Sequence, residues 1–150
     1  MIYLLPGFNF EKKEDFAIDL AKSLILNGPV ILIDLDSRNR IFAEKLGVAE
    51  YTIYDIEDVL EGVVDADKAA VEIEDSFYLL SSSIIDKYSF DEKISSEVFN
   101  SWDNLVFSIS DEGKLDLFDI NTCKIIGSDK KENCFKRFFK KIKGLNDRSK

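Results

Sequence analysis

The sequence contains no histidine, and its 150 residues include only two cysteines, two prolines and seven glycines. Without histidine, the commonest general base and the commonest zinc ligand are both missing. Cys123 and Cys134 are too few for a zinc cluster or a disulfide framework, so we expect reduced thiols and no metal site. The shortage of glycine leaves little material for a glycine-rich binding loop. These absences argue against many classes of enzyme.

Long apolar runs are missing as well. The longest are the size of a strand, well below the roughly 20 residues of a membrane-spanning helix. Near the amino terminus only Ile2–Leu5 is apolar, and no basic region precedes it, so we expect no signal peptide. Hydrophobic residues make up 45% of the chain and charged residues 33%, which is typical of a folded domain. We expect the body of the protein to be cytoplasmic.

The net charge of −9 is unevenly distributed along the chain. Residues 1–129 hold 11 basic and 27 acidic side chains, a net charge of −16, whereas residues 130–150 hold nine basic and two acidic ones, a net charge of +7. Such asymmetry is typical of a domain with a basic tail that has its own partner. We therefore divide the chain into a domain at 1–129 and a tail at 130–150. The acidic body argues against non-specific binding to nucleic acid.

Apolar, β-branched runs alternate with segments of helical periodicity. Strands are predicted at 2–5, 30–33, 77–80, 105–109 and 123–126. Helices are predicted at 11–27, 39–46, 54–61, 65–71, 90–101 and 132–143. Residues 114–120 fit either a strand or a short helical turn. This alternation predicts an α/β domain with a mostly parallel sheet of about five strands and helices on both faces.

Three strings in this pattern carry a family resemblance. They are Val30–Asp36, which ends in Asp-Leu-Asp, then Asp58–Gly62, and then Phe77–Ser83. In order and spacing they resemble the MinD/ParA family of deviant P-loop ATPases over roughly residues 1–110, about the first half of the family domain. The resemblance implies a truncated, Rossmann-like P-loop NTPase fold. It also implies ATP and Mg²⁺ as ligands and dimers that form across bound ATP.

The phosphate loop of that family is not preserved. Its pattern Lys-Gly-Gly-x-Gly-Lys-Thr aligns with residues 8–14, Phe-Asn-Phe-Glu-Lys-Lys-Glu, where only Lys13 keeps its type. A phosphate cradle needs converging backbone N–H groups and therefore glycines, and this segment has none. Phe8 and Phe10 place rings there, and Glu11 and Glu14 place carboxylates where phosphate would lie. We expect the ATP site to be lost, with no catalytic residue and no cofactor.

Residual candidates for nucleotide binding remain. Lys13 is otherwise interpreted as a solvated lysine in the first turn of a helix. Asp34 and Asp36 match the family's Asp-x-Asp, but they also fit an ordinary strand-to-helix turn with Asp36 as the N-cap. Where a later family strand ends in an Asp that contacts the metal's water shell, this sequence has Ser108. The alternative hypothesis is thus a residual nucleotide-binding protein or weak ATPase that uses Lys13, Asp34 and Asp36 with ATP and Mg²⁺.

The tail predicts an amphipathic helix. At 100° per residue its apolar side chains fall within an arc of about 120°, beside a dense arc of cations. Such a helix suits a membrane interface, and MinD-type proteins, which the chain resembles, end in a short membrane-targeting helix. It also fits a covering helix of the sheet or a contact with a partner protein. The predicted contact residues are Phe135, Lys136, Arg137, Phe138, Phe139, Lys140, Lys141 and Ile142.

These features together predict a non-catalytic interaction or regulatory module, a pseudo-ATPase. Its expected partner is a protein, either a MinD/ParA-type relative or a second copy. An anionic membrane surface is a further expected partner, which would place the protein peripherally on the inner face of the membrane. The resemblance implies a role in division or partitioning.

Overall fold

A computed structural model describes residues 1–7, 13–35, 40–83, 92–109 and 112–126. Several predictions concern residues outside these ranges, namely residues 8–12, Asp36, Cys134 and the tail at 130–150.

The chain forms a six-stranded sheet with the order β3-β4-β2-β5-β1-β6. The strands are β1 (Ile2–Pro6), β2 (Val30–Asp34), β3 (Val71–Glu74), β4 (Phe77–Leu80), β5 (Asn104–Ile109) and β6 (Cys123–Ile125). Among the strands of the described residues, five run parallel, and only β3, at one edge of the sheet, is antiparallel to its neighbour, β4. The α/β class with a mostly parallel sheet is confirmed.

The central strands are apolar because helices cover both faces of the sheet. Successive side chains of β2 point to opposite faces: Val30 and Leu32 lie in one hydrophobic cluster, and Ile31 and Ile33 in the other. All four are fully buried. Burial of this kind contributes about 1.5–3 kcal/mol for each such side chain, so the centre of the sheet is the best stabilised part of the fold.

Short helices complete the two layers. They are α1 (Lys13–Leu24), α2 (Ile41–Lys45), α3 (Ile56–Leu60) and α4 (Ala66–Ala69), with 3₁₀ helices that include Ser96–Phe99 and Glu112–Leu117. The first two α-helices pack on one face of the sheet, and the other two pack with both 3₁₀ helices on the opposite face. None of the helices in the described part of the chain has both the length and the apolar character needed to cross a membrane.

Two predictions of secondary structure are wrong. The helix predicted at 65–71 ends at Ala69, and Val71–Glu74 is a strand with alternating exposure that turns into β4 at Ser76, where φ is +69°. The helix predicted at 90–101 is, in its described part, only the 3₁₀ helix Ser96–Phe99. Tertiary contacts prevent an α-helix there, because the N–H of Ile94 donates to the carbonyl of Leu117 at 2.7 Å.

Candidate functional site

The carboxyl ends of β1, β2 and β5 meet at one edge of the sheet, with β5 between the other two. In parallel α/β sheets ligands bind outside this edge, where neighbouring strands are connected in opposite directions. The edge carries two of the residues predicted from sequence, Lys13 and Asp34, and it is the candidate functional site.

Lys13 is the first residue of α1 and reaches back to the sheet. Its ammonium donates to the carbonyl oxygen of Ile109, at the end of β5, at 2.7 Å. The N–H of Gly7 donates to the same oxygen, also at 2.7 Å. A Cβ at residue 7 would overlap the Lys13 side chain, so the glycine leaves the space that this side chain crosses. Lys13 is half-buried and bonded to the sheet, so its interpretation as a merely solvated lysine is wrong.

Asp34 ends β2 and is fully buried. It stands opposite Ser108 in the β2–β5 register, and Ser108 is 2% exposed. Ser108 directly precedes Ile109, whose carbonyl receives Lys13. The fold therefore brings Lys13 and Asp34 to two adjacent residues of one strand, although 21 positions separate them in sequence.

Two further cations lie at this edge. The ammonium of Lys114 donates to the carbonyl oxygen of Leu35, directly after β2, at 2.9 Å. The guanidinium of Arg40 donates to the carbonyl oxygens of Ser82 and Thr52 at 3.3 and 3.4 Å. These side chains connect the ends of β2 and β4 to the neighbouring 3₁₀ helix and to the start of α2.

Arg40, with φ of +52°, is the N-cap residue of α2, which begins at Ile41. Asp36, which the sequence offers as the N-cap of a strand-to-helix turn, lies outside the described residues. Sequence reasoning also misses Arg40 and Lys114 as parts of the edge. No local pattern marks them, because both reach carbonyl groups that only the folded sheet brings near.

The edge thus holds a buried carboxylate, a buried hydroxyl and three cations that donate to main-chain carbonyl oxygens. Within the described ranges there is no group of three or more His, Cys, Asp or Glu side chains able to hold a metal ion. The arrangement ties strand ends to helices, and part of the hydrogen-bonding capacity of each cation is engaged with carbonyl oxygens.

Cys123 lies in β6, the strand beside β1 at the edge of the sheet, and is half-buried. Burial raises the pKa of its thiol, a hydrogen bond with Thr122 lowers it, and the nearby charge of Asp119 raises it. The thiol contacts the carbonyl oxygen of Asp119 at 3.4 Å. A thiol whose pKa is raised is a poor nucleophile near neutral pH, so this cysteine has no sign of reactivity.

No family model and no curated protein sequence matches the chain. Among solved structures, it is similar to the MinD cell division protein of Aquifex aeolicus, with 25% identity and a TM-score of 0.59 over 83% of this chain and 55% of that one. The MinC:MinD cell division protein complex of the same organism matches with 23% identity and a TM-score of 0.58, again over 83% and 55%.

Two further likenesses extend beyond cell division proteins. A plasmid partition protein of Borrelia burgdorferi matches with 20% identity and a TM-score of 0.59, over 73% of this chain and 55% of that one. Cobyrinic acid a,c-diamide synthase of Mycobacterium smegmatis, with bound ADP and magnesium, has 15% identity and a TM-score of 0.66 over 97% and 68%. The chain spans about half the length of the first three of these proteins. It has the fold of the MinD/ParA-type P-loop ATPases.

Proposed function

We propose that the chain is a non-catalytic interaction module built on a MinD/ParA-type fold, a pseudo-ATPase that binds a protein partner. The observation that carries this proposal is the position of Lys13. The resemblance implies that this lysine would reach phosphate, yet its ammonium is bonded to the carbonyl oxygen of Ile109.

The bond of Lys13 opposes phosphate binding. An ammonium has three N–H groups, so this bond leaves at most two of them for an anion and draws the group toward the end of β5. An anion would therefore compete with the carbonyl oxygen of Ile109 for Lys13. Lys13 is therefore better described as a structural tie than as a phosphate ligand.

The carboxylate arrangement also fits a magnesium nucleotide poorly. Ser108 supplies a neutral hydroxyl where the family pattern has an acid, and the pattern's Thr hydroxyl is replaced by the carboxylate of Glu14, in the first turn of α1. A carboxylate at that helix end satisfies the positive end of the helix dipole and repels phosphate. Asp34 alone does not replace the groups that would hold the magnesium nucleotide for hydrolysis.

Protein partnership is supported by a neighbour in fold. MinD of Aquifex aeolicus occurs in a complex with MinC, which shows that this architecture can present a surface to another protein. We propose a protein partner for this chain too, either a MinD/ParA-type relative or a second copy.

Titration calorimetry of the full chain with ATP and Mg²⁺ tests the loss of nucleotide binding. We expect no saturable heat at micromolar concentrations. If binding heat does appear, two matched variants show whether it depends on Lys13. Lys13→Met removes the candidate phosphate ligand, and Lys22→Met removes an exposed lysine from the last turn of the same helix. Micromolar binding that is lost in Lys13→Met but kept in Lys22→Met would establish residual nucleotide binding at this site instead.

We also propose that the tail attaches the protein to anionic membranes through an amphipathic helix. Its support is the arrangement of Phe135, Phe138, Phe139 and Ile142 beside a cluster of lysines and arginine. Cationic side chains near an anionic leaflet contribute about 1 kcal/mol each, and buried rings add to this.

Sedimentation with vesicles tests the membrane proposal. The full chain should pellet with phosphatidylglycerol vesicles and stay in solution with phosphatidylcholine vesicles. The double variant Phe138→Asp, Phe139→Asp should remain in the supernatant, whereas Phe138→Leu, Phe139→Leu should pellet like the native chain. Equal pelleting of both double variants would show that the apolar face plays no part.

A further inference from the structure

A groove of about 370 Å³ opens on the helical layer that contains α3 and α4, on the face opposite α1. Its apolar part is formed by Val59, Val64 and Val98, and Val98 is 40% exposed. The neighbouring Val63 is 64% exposed, which extends the apolar surface beyond the groove. Exposed aliphatic side chains around a concavity are typical of a docking surface.

The polar side of this groove is acidic. Asp65, Asp67 and Glu97 line it, all three are exposed, and none of the described lining residues is basic. Asp67 is held in place by the hydroxyl of Ser101, which donates to one of its carboxylate oxygens at 2.9 Å. The groove therefore offers an apolar strip flanked by carboxylates, which is the complement of a basic amphipathic segment.

Such a segment exists in the same chain. Residues 135–142 contain four large apolar side chains and four cations, in a tail of net charge +7. We propose that the acidic groove is the docking site of this segment, in the same molecule. Contact with the groove would cover Phe135, Phe138 and Phe139, the side chains that membrane attachment needs. Docking and membrane binding would then exclude each other, so this proposal adds a regulatory contact to the proposed function.

The connection is long enough. The structure describes the chain up to Ile126, which follows β6 at one edge of the sheet. The 3₁₀ helix Ser96–Phe99, which lines the groove, lies over β5. The ring of its Phe99 and the ring of Phe107 in β5 have centroids 5.9 Å apart. β5 is two strands from β6, a lateral distance of about 10 Å. Residues 127–131 can span about 17 Å when extended, and the first four residues of the predicted helix, 132–135, add about 6 Å, so the tail can reach about 23 Å from Ile126 toward the groove.

Paramagnetic broadening in the full chain tests this contact. A nitroxide label is attached to Cys134, next to Phe135, in the Cys123→Ser background, and backbone amide signals are recorded without vesicles. We expect the amides of Asp65, Glu97 and Val98 to lose most of their intensity relative to the reduced label. The double charge reversal Asp65→Lys, Glu97→Lys should restore the signals of the other groove residues, because it replaces attraction with repulsion.

The matched control is Asp19→Lys, Glu50→Lys, which changes the charge by the same amount at exposed positions on the opposite face. Broadening at the groove should persist in that variant. The proposal is overturned if the groove amides keep their intensity, or if both double variants behave alike. It is also overturned if broadening appears in isotope-labelled chains mixed with separate spin-labelled chains, since the contact would then join two molecules. Because no lipid is present, failure here leaves the vesicle experiment as an independent test of membrane attachment.

Discussion

At the scale of single residues, long cationic side chains hold the carboxyl edge of the sheet together. Lys13, Arg40 and Lys114 come from three different segments, and each donates to a main-chain carbonyl oxygen at or beyond a strand end. A carbonyl oxygen has two lone pairs, so it can accept one of these bonds beside a main-chain bond, as the carbonyl of Ile109 does from Lys13 and Gly7. Such bonds are stronger than neutral ones because the donor is charged.

The contribution of Lys13 to stability follows from this geometry. In Lys13→Met the carbonyl of Ile109 keeps its bond from Gly7, so no buried acceptor is orphaned, and we expect a loss of about 1 kcal/mol in the free energy of unfolding. Urea denaturation measures it. The control Lys22→Met, at an exposed position, should stay within about 0.5 kcal/mol of the native chain. Equal stabilities of the two variants would mean that the ammonium of Lys13 is solvated in solution.

At the scale of elements, α3 and α4 differ in how their first turns are capped. Asp55 forms a capping box at the start of α3: its carboxylate accepts from the N–H of Asp58 at 2.9 Å, and Asp58 accepts from the N–H of Asp55 at 3.1 Å. Asp65 is the N-cap residue of α4 but makes no side-chain bond to its helix. The two positions carry the same residue type with different local chemistry.

This difference predicts unequal effects of the same substitution. Asp55→Ala should lower the free energy of unfolding by about 1–2 kcal/mol, because it leaves the backbone N–H of Asp58 without the acceptor that the box supplies. Asp65→Ala should cost less than about 0.5 kcal/mol. Urea denaturation of the two variants measures both values side by side. A loss at Asp65 as large as that at Asp55 would contradict the assignment of the capping box.

The sequence predicts those elements whose own residues decide their conformation. Val30–Asp34 is recognisable because it is buried on both faces and so is apolar throughout. By contrast, Val71–Glu74 is a short edge strand of alternating residues after an alanine-rich turn, and only its pairing with β4 makes it a strand. At the site, Lys13 and Asp34 are found from the resemblance of the sequence to the MinD/ParA patterns. Lys114 could not be, because its acceptor lies 79 positions away.

At the scale of the whole molecule, charge is the property that most distinguishes this chain. The body carries −16 and the tail +7, and the cations described at the sheet edge are engaged with carbonyl oxygens. In the described part of the chain, Lys45 of α2 forms a salt bridge with Asp15 of α1 at 3.0 Å. Both side chains are exposed, and exposed pairs of this kind contribute little to stability. Repulsion among the carboxylates of the body therefore opposes the folded state.

This repulsion predicts that salt stabilises the protein. The screening length falls with the square root of the ionic strength. Raising sodium chloride from about 20 mM to about 300 mM therefore shortens it to less than about a third of its initial value, and repulsion across the body weakens. We expect the free energy of unfolding to rise by on the order of 1 kcal/mol, measured in urea because guanidinium is itself a salt. The variant Asp19→Lys, Glu50→Lys reduces the charge of the body to −12, and its gain from salt should be smaller. If salt instead lowered the stability of the native chain, attraction between acidic and basic side chains would outweigh repulsion among the carboxylates. The acidic surface would then be more closely paired with basic groups than the described contacts imply.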